Sequence, residues 1–265
     1  ELPRRYLYYR EEMGFGVINS RDRMTRGLDK VEDWFEFKMR LQKFLGMNVF
    51  LKTLLTFGAP QGWDVEQEKG AKGWYHAHKF PKLHQNLLAI SKQYDLQYMG
   101  YYEYSAGQAP GSLAVERRVH PLGEGKEYTH VKWNEIRAAN LTDPDTLEDA
   151  KRLLDFTVIR HRDKANHMGV LFRTRLSRMP ISFTDADIGR FEIDTKHSRG
   201  SVDRNKIRAN DELYREYRHW WNIKRLEFLD GLRDHLIKNG IKDPQVLFSS
   251  FHTEPGPSLI SGIKG

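Results

Sequence analysis

The sequence predicts an α/β fold of the (β/α)8 TIM-like barrel type, as a single domain over residues 1–265, and three observations carry that prediction. Apolar runs of strand character alternate with stretches of helical spacing along the whole chain. The segments after strands (58–79, 105–143 and 174–202) are long and aromatic or charged, whereas those after helices (about 46–48, 94–97 and 239–245) are short. A length of 265 residues is also what one such barrel needs. Alternation alone fits a doubly wound sheet equally well. The loop asymmetry favours the barrel, whose C-terminal face carries long functional loops while its N-terminal face is trimmed for stability. Five or six strands are legible rather than eight, which leaves open an incomplete barrel or one lacking terminal elements.

Taken in order, Tyr6 to Ile18 mixes aromatics with Gly14 and Gly16 and reads as a strand passing into a loop. Val31, Trp34, Phe35, Met39, Leu41, Phe44 and Leu45 then approximate one apolar helical stripe, with Gly46 placed to stop it. Asn48 to Phe57 lacks helical spacing and is broken by Gly58-Ala59-Pro60-Gln61-Gly62, as a buried strand entering a loop would be. Phe80, Leu83, Leu87, Ile90 and Tyr94 form the clearest helical seam. Gln97 to Tyr104 is the next strand, and the roughly forty residues after it are long for a connection and mark a functional or disordered segment. Thr142-Asp143-Pro144 starts a helix whose inward face is Leu147, Ala150, Leu154 and Val158. Met168 to Arg173 is a strand with a basic exit. Thr184 is read as the cap of a short helix through Ile188 and Phe191. A single helix is expected from Asp203 to Lys238, closed by Asn239-Gly240, and Gln245 to Phe251 is the last strand.

Bulk properties narrow the classes. A mean hydropathy of −0.70 and the absence of any apolar run near the about 20 residues of a membrane helix argue for a soluble protein and against membrane partners. Six Trp, twelve Tyr and fourteen Phe exceed what packing obviously needs, so some are expected to line a groove. The net charge of +7 attracts polyanions, but is mild for a dedicated nucleic-acid binder, and sulfated or uronic polysaccharides obey the same electrostatics. With no cysteine, disulfides and thiolate chemistry are excluded, which is compatible with a secreted or periplasmic location. No signal-peptide pattern is present, and the chain opens at Glu1 without Met, as a mature or trimmed chain would.

Two segments single themselves out as chemistry. Tyr101-Tyr102-Glu103-Tyr104 and Phe251-His252-Thr253-Glu254-Pro255-Gly256 each end a strand-like run with a glutamate where the chain turns into a Gly-, Pro- or Ser-rich loop. Glycoside hydrolysis needs one carboxylic acid to protonate the leaving oxygen and one carboxylate as nucleophile or base, and flat rings beside them stack on sugars. Trp63, Trp74 and Tyr75 are candidate sugar platforms, with His76 and His78 at the rim and Tyr101 and His252 beside the acids. His76-Ala77-His78 is too short for a zinc motif, and no metal or cofactor is expected. Arg173, Arg175 and Arg178 supply forked donors for sulfate or carboxylate. Asp185, with Asp187, ranks next among the acids, although capping explains it economically.

The placement of Glu103 and Glu254 after two strands, one later than the other, resembles retaining barrel glycosidases. That resemblance implies a polysaccharide hydrolase with Glu103 as acid/base and Glu254 as nucleophile or base. Those families commonly carry Asn before the acid/base, where this chain has Tyr102. The alternatives are a metal-dependent phosphodiesterase or nuclease on Asp185, Asp187 and nearby histidines, or a carbohydrate- or nucleic-acid-binding module without catalysis. The absence of P-loop, dinucleotide-binding and Gly-x-Ser-x-Gly motifs demotes nucleotide, redox and triad chemistries.

Overall fold

The computed structural model describes residues 6–11, 30–56, 59–60, 82–105, 141–142, 144–174 and 183–249. Its elements in chain order are β1 (Tyr8–Glu11), α1 (Val31–Phe44), β2 (Val49–Thr56), β3 (Ala59–Pro60), α2 (Leu83–Gln93), β4 (Gln97–Ser105), α3 (Pro144–Thr157), a 3-10 turn (Ile159–His161), β5 (Asn166–Thr174), α4 (Asp185–Thr195), α5 (Arg204–Ala209), α6 (Asp211–Lys238) and β6 (Gln245–Ser249). β1, β2, β4, β5 and β6 lie side by side in that order and all pair in parallel, while β3 folds back antiparallel on the end of β2. Among the described residues the sheet is an open path from β1 to β6.

The helices share one face of this sheet. Tyr98 packs with Phe35 and Met39 of α1 and Leu83, Leu87 and Leu88 of α2. Tyr102, four residues along the same strand and therefore on the same face, packs with Leu153 and Leu154 of α3 and Trp221, Phe228 and Leu232 of α6. The opposite face gathers Val49, Leu51, Met99, Tyr101, Met168 and Leu171 into a third buried cluster built from strand residues alone among those described. A doubly wound sheet would carry helices on both faces. Here strand neighbours are chain neighbours and the described crossovers stay on one side.

Local chemistry sets the element ends. Gly46, at φ +77, halts α1. Thr184 caps α4 by accepting from the Asp187 amide at 3.2 Å. The single helix expected over 203–238 is broken at Asn210, whose extended backbone (φ −127, ψ 109) lets its side chain accept from the Glu212 and Leu213 amides and start α6 afresh. The α1 stripe also divides: Phe35 and Met39 are buried, whereas Leu41, Phe44 and Leu45 are exposed. Its apolar residues span more of the helix circumference than the sheet can cover. β3 went unread because Ala59-Pro60 looks like a turn, and it survives only as a two-residue edge pairing.

Glycine is structurally required at position 169. Its φ is +138, and a Cβ there would lie 2.0 Å from the Gln245 carbonyl oxygen, because a bulge in β5 brings the β6 backbone against it. Thr157 joins the two helix-side cores. Its hydroxyl donates to the Leu153 carbonyl at 2.7 Å and so receives the Tyr102 phenol proton at 2.6 Å. Its carbonyl accepts from His84 Nε2 at 3.1 Å.

Three histidines cluster beneath this junction. The His84 ring lies 5.1 Å from that of His161, and Tyr98 lies 6.1 Å from His84 and 5.7 Å from His167. His167 Nε2 donates to the His161 carbonyl at 3.0 Å. Nε2 is the donor in both His84 and His167, and because burial opposes a second proton each ring is neutral with a bare Nδ1. Burial holds all three below the usual imidazole range, His161 down to about 4, with the neighbouring Lys52, Arg160 and Lys164 adding to the effect.

The unfolded chain protonates these histidines near pH 6.5 while the folded cluster resists, so stability is lost as pH falls from about 6.5 toward 4, by up to about 1.4 kcal/mol per pH unit for each histidine. Urea midpoints measured between pH 7 and 4.5 should decline accordingly, and His161→Phe should flatten the decline. Gly169→Ala should cost at least about 2 kcal/mol. Gly189→Ala, in open space on α4, should instead stabilise by about 0.5–1 kcal/mol in the same denaturation assay.

Candidate functional site

All five parallel strands point their C-terminal ends at one edge, and the register brings specific residues together there. Thr53, Tyr101, Leu171 and Leu247 stand side by side on β2, β4, β5 and β6. One step further out, Glu103 of β4 is opposite Arg173 of β5, and Arg173 is opposite Ser249 of β6. Neighbouring strands are about 4.8 Å apart, so the Glu103 and Ser249 backbones lie about 10 Å apart with Arg173 between them.

The chain just before Glu103 is held firmly. Tyr102 is fully buried on the helix side, its ring stacks on Phe172 at 5.1 Å, and its hydroxyl is tied to Thr157. Burial pushes that phenol far above its ordinary range, so it stays a hydrogen-bond donor at any working pH. A Cβ at Gly100 would meet the Tyr102 hydroxyl at 2.8 Å, so the glycine leaves the room this ring occupies. Tyr102 therefore anchors the end of β4 to α3.

Of the residues expected to form a site, the register brings together Glu103 and Arg173. Tyr101 lies on the strand-only face and is 2% exposed, so its ring belongs to the apolar layer beneath the edge rather than to an open groove. Trp63, Trp74, Tyr75, His76, His78, Arg175, Arg178, His252 and Glu254 lie outside the described residues. In sequence, Arg175 follows Thr174 directly and Glu254 comes five residues after Ser249, each downstream of a strand that ends on this edge.

The acids after β5 are engaged elsewhere. Asp185, in the first turn of α4, has a side chain 93% exposed and an ion pair to Arg204 at 2.7 Å. Asp187 is fully buried and accepts from the Thr142 hydroxyl at 2.5 Å, from Thr184 at 2.7 Å and from Arg190. It ties the start of α4 to residues 141–142. Glu192 accepts the Gly200 and Val202 amides at 2.9 and 2.7 Å, bonds that hold its carboxyl below the usual range and fix the turn after α4. Among the described residues no three acidic or histidine side chains are grouped to hold a metal ion.

Sequence reasoning overlooked two buried polar groups. Thr53 is fully buried in the layer beside Tyr101, and its Oγ1 has no hydrogen-bond partner among the described residues. Lys52 is equally buried on the helix side, with Nζ donating to the Thr53 carbonyl at 2.6 Å and lying 5.9 Å from the Phe35 ring. A lysine in the middle of an apolar run was the available signal. The histidine cluster offered none, because residues 84, 161 and 167 are scattered along the chain and meet only in space. No family model matches this chain, and no curated protein is similar enough to assign it to a family.

Proposed function

We propose that the chain is a (β/α)-barrel glycoside hydrolase that cleaves an anionic polysaccharide, sulfated or uronic, with Glu103 as general acid/base, Glu254 as nucleophile or base, and no cofactor. The observation that carries this reading is the register Glu103–Arg173–Ser249 at the C-terminal edge of a parallel sheet. Barrel enzymes assemble their sites at this edge from the ends of several strands. Sequential strand order and helices confined to one face support a barrel whose interior is the strand-only layer.

The chemistry follows from the placement. A backbone spacing of about 10 Å between Glu103 and the end of β6 leaves room for two carboxyls to converge to the about 5–10 Å of a glycosidase pair, the second being Glu254, five residues after Ser249 in the sequence. The anchored Tyr102 keeps the strand end from drifting, and positional error in a catalytic group is costly in rate. Arg173 stands opposite Glu103 in the register, which brings a cationic residue type to the strand end where an anionic sugar would be held. Arg175 and Arg178 extend that charge along the same exit segment, and Trp63, Trp74 and Tyr75 supply stacking surfaces. The reading is compatible with a secreted or periplasmic enzyme. The phosphodiesterase alternative is weakened because Asp187, one of its two acids, is buried and already bonded to Thr142, Thr184 and Arg190.

Glu103→Gln and Glu254→Gln should each lower turnover of a sulfated or uronic polysaccharide by about 10³-fold or more while leaving the thermal midpoint unchanged. Reducing-end release from a polysaccharide panel measures the first quantity and circular dichroism the second. Undiminished turnover in either variant rejects the pair. Binding of the charged polymer should weaken steeply as salt shortens the Debye length below about 10 Å. Arg175→Ala should weaken the charged polymer more than its desulfated or carboxyl-reduced form, and equal losses on both would leave a neutral-sugar hydrolase.

A further inference from the structure

The two helix-side cores meet at a seam between α2 and the connection from α3 to β5, and polar bonds close it. His84 Nε2 of α2 donates to the Thr157 carbonyl at 3.1 Å, Lys92 Nζ donates to the Asp163 carbonyl at 2.9 Å, and Lys164 Nζ donates to the Gln85 side chain. Ala165 of the connection packs with Leu83, Leu87 and Leu88 of α2. Into this seam the fold gathers His84, His161 and His167. Among the described residues, Nδ1 of His84, Nδ1 of His167, both ring nitrogens of His161 and the Tyr98 hydroxyl are buried with no hydrogen-bond partner. A second proton on any of these rings therefore finds no acceptor in the closed seam. The titratable and charged groups that act on the rings from the surrounding elements are Lys52 of β2, Tyr98 of β4, and Arg160 and Lys164 of the connection. Three of these are cations, and the fourth is a phenol whose burial keeps it protonated. A new charge here is both unpaired and repelled.

We propose that this seam is an acid-sensitive latch: protonation of its histidines parts α2 from the α3–β5 connection while the core between α3, α6 and the sheet stays closed. The geometry separates the two regions by what each histidine faces. His235 of α6 meets Asp155 of α3 at 2.6 Å, and His197 meets Glu216 of α6 at 3.0 Å. A proton on either of these adds attraction to a carboxylate, so mild acid tightens those joints. At the seam the same proton meets only cations and bare ring nitrogens. Two of the three polar bonds that close the seam are exposed, so parting it costs less than unfolding the chain. α2 keeps its bonds to α1, Asn86 to Glu32 at 2.9 Å and Tyr94 to Glu36 at 2.5 Å, which serve as the hinge.

Hydrogen exchange of the full chain, followed by mass spectrometry at pH 7 and pH 5 and corrected for the intrinsic rate, reads the opening element by element. The His161 pKa is about 4 in the closed seam, against about 6.5 when the ring is free in the open one. The open form binds the proton more tightly, so this residue alone should raise the opening of residues 83–93 and 157–167 about twentyfold between those pH values. Residues 228–236 of α6 should keep their protection. His161→Phe should remove that factor. His84→Gln, whose amide can still donate to the Thr157 carbonyl but cannot titrate, should also shrink the gain. Unchanged protection of residues 83–93 at pH 5 overturns the proposal. So does a loss that residues 228–236 share in step, which is acid unfolding of the whole chain, and so does a pH response that survives in both variants.

Discussion

A parallel sheet must bury both faces, and among the described residues helices cover only one of them. Tyr98 and Tyr102 lie on that side, each in its own helix-backed core, while Met99 and Tyr101 on the same strand join a layer made of strand residues alone. Because parallel strands cannot be joined by short turns, the fold depends on helical crossovers, and these cover one face of the described sheet. The position of the candidate site follows from the same constraint. With all strands parallel, all their C-terminal ends share an edge, and residues distant in sequence, such as Glu103 and Arg173, become ladder neighbours.

Polar groups inside the helix-side cores are placed as joints. Thr157 links β4, α2 and α3 through one hydroxyl and one carbonyl, and Asp187 links α4 to residues 141–142. Removing one partner from such a buried bond leaves the other unsatisfied, which costs more than the bond contributes net. These joints therefore specify which element sits against which, while apolar contact supplies most of the driving force. The histidine cluster lies at the opposite end of β4 and β5 from the candidate site, near the starts of the strands. Its neutral rings are a stability feature of that end, and they keep acid sensitivity apart from the edge where Glu103 stands.

The helix-side architecture was largely legible from residue order. Among the described residues, apolar runs and period-3.6 patterns located every strand but β3 and every helix of eight residues or more, and Thr184 announced its own cap. Where the reading failed, a local competitor or a neighbour in space decided. Asn210 looked like an ordinary position in a long helix until its side chain proved to cap a new one. Leu41, Phe44 and Leu45 looked like core, yet the sheet covers only the sector of α1 around Phe35 and Met39.

Composition and periodicity thus determined that this chain alternates strand and helix, roughly where most elements begin and end, and that Glu103 lies near the end of a strand, because these properties depend on bonds within a few residues of one another. The tertiary structure alone decided that the helices share one face, that Arg173 stands between Glu103 and Ser249, that His84, His161 and His167 meet, and that Asp187 is buried rather than available. Those outcomes depend on register and crossover side, set by the summed burial of both sheet faces over the whole chain, which no local stretch of sequence encodes.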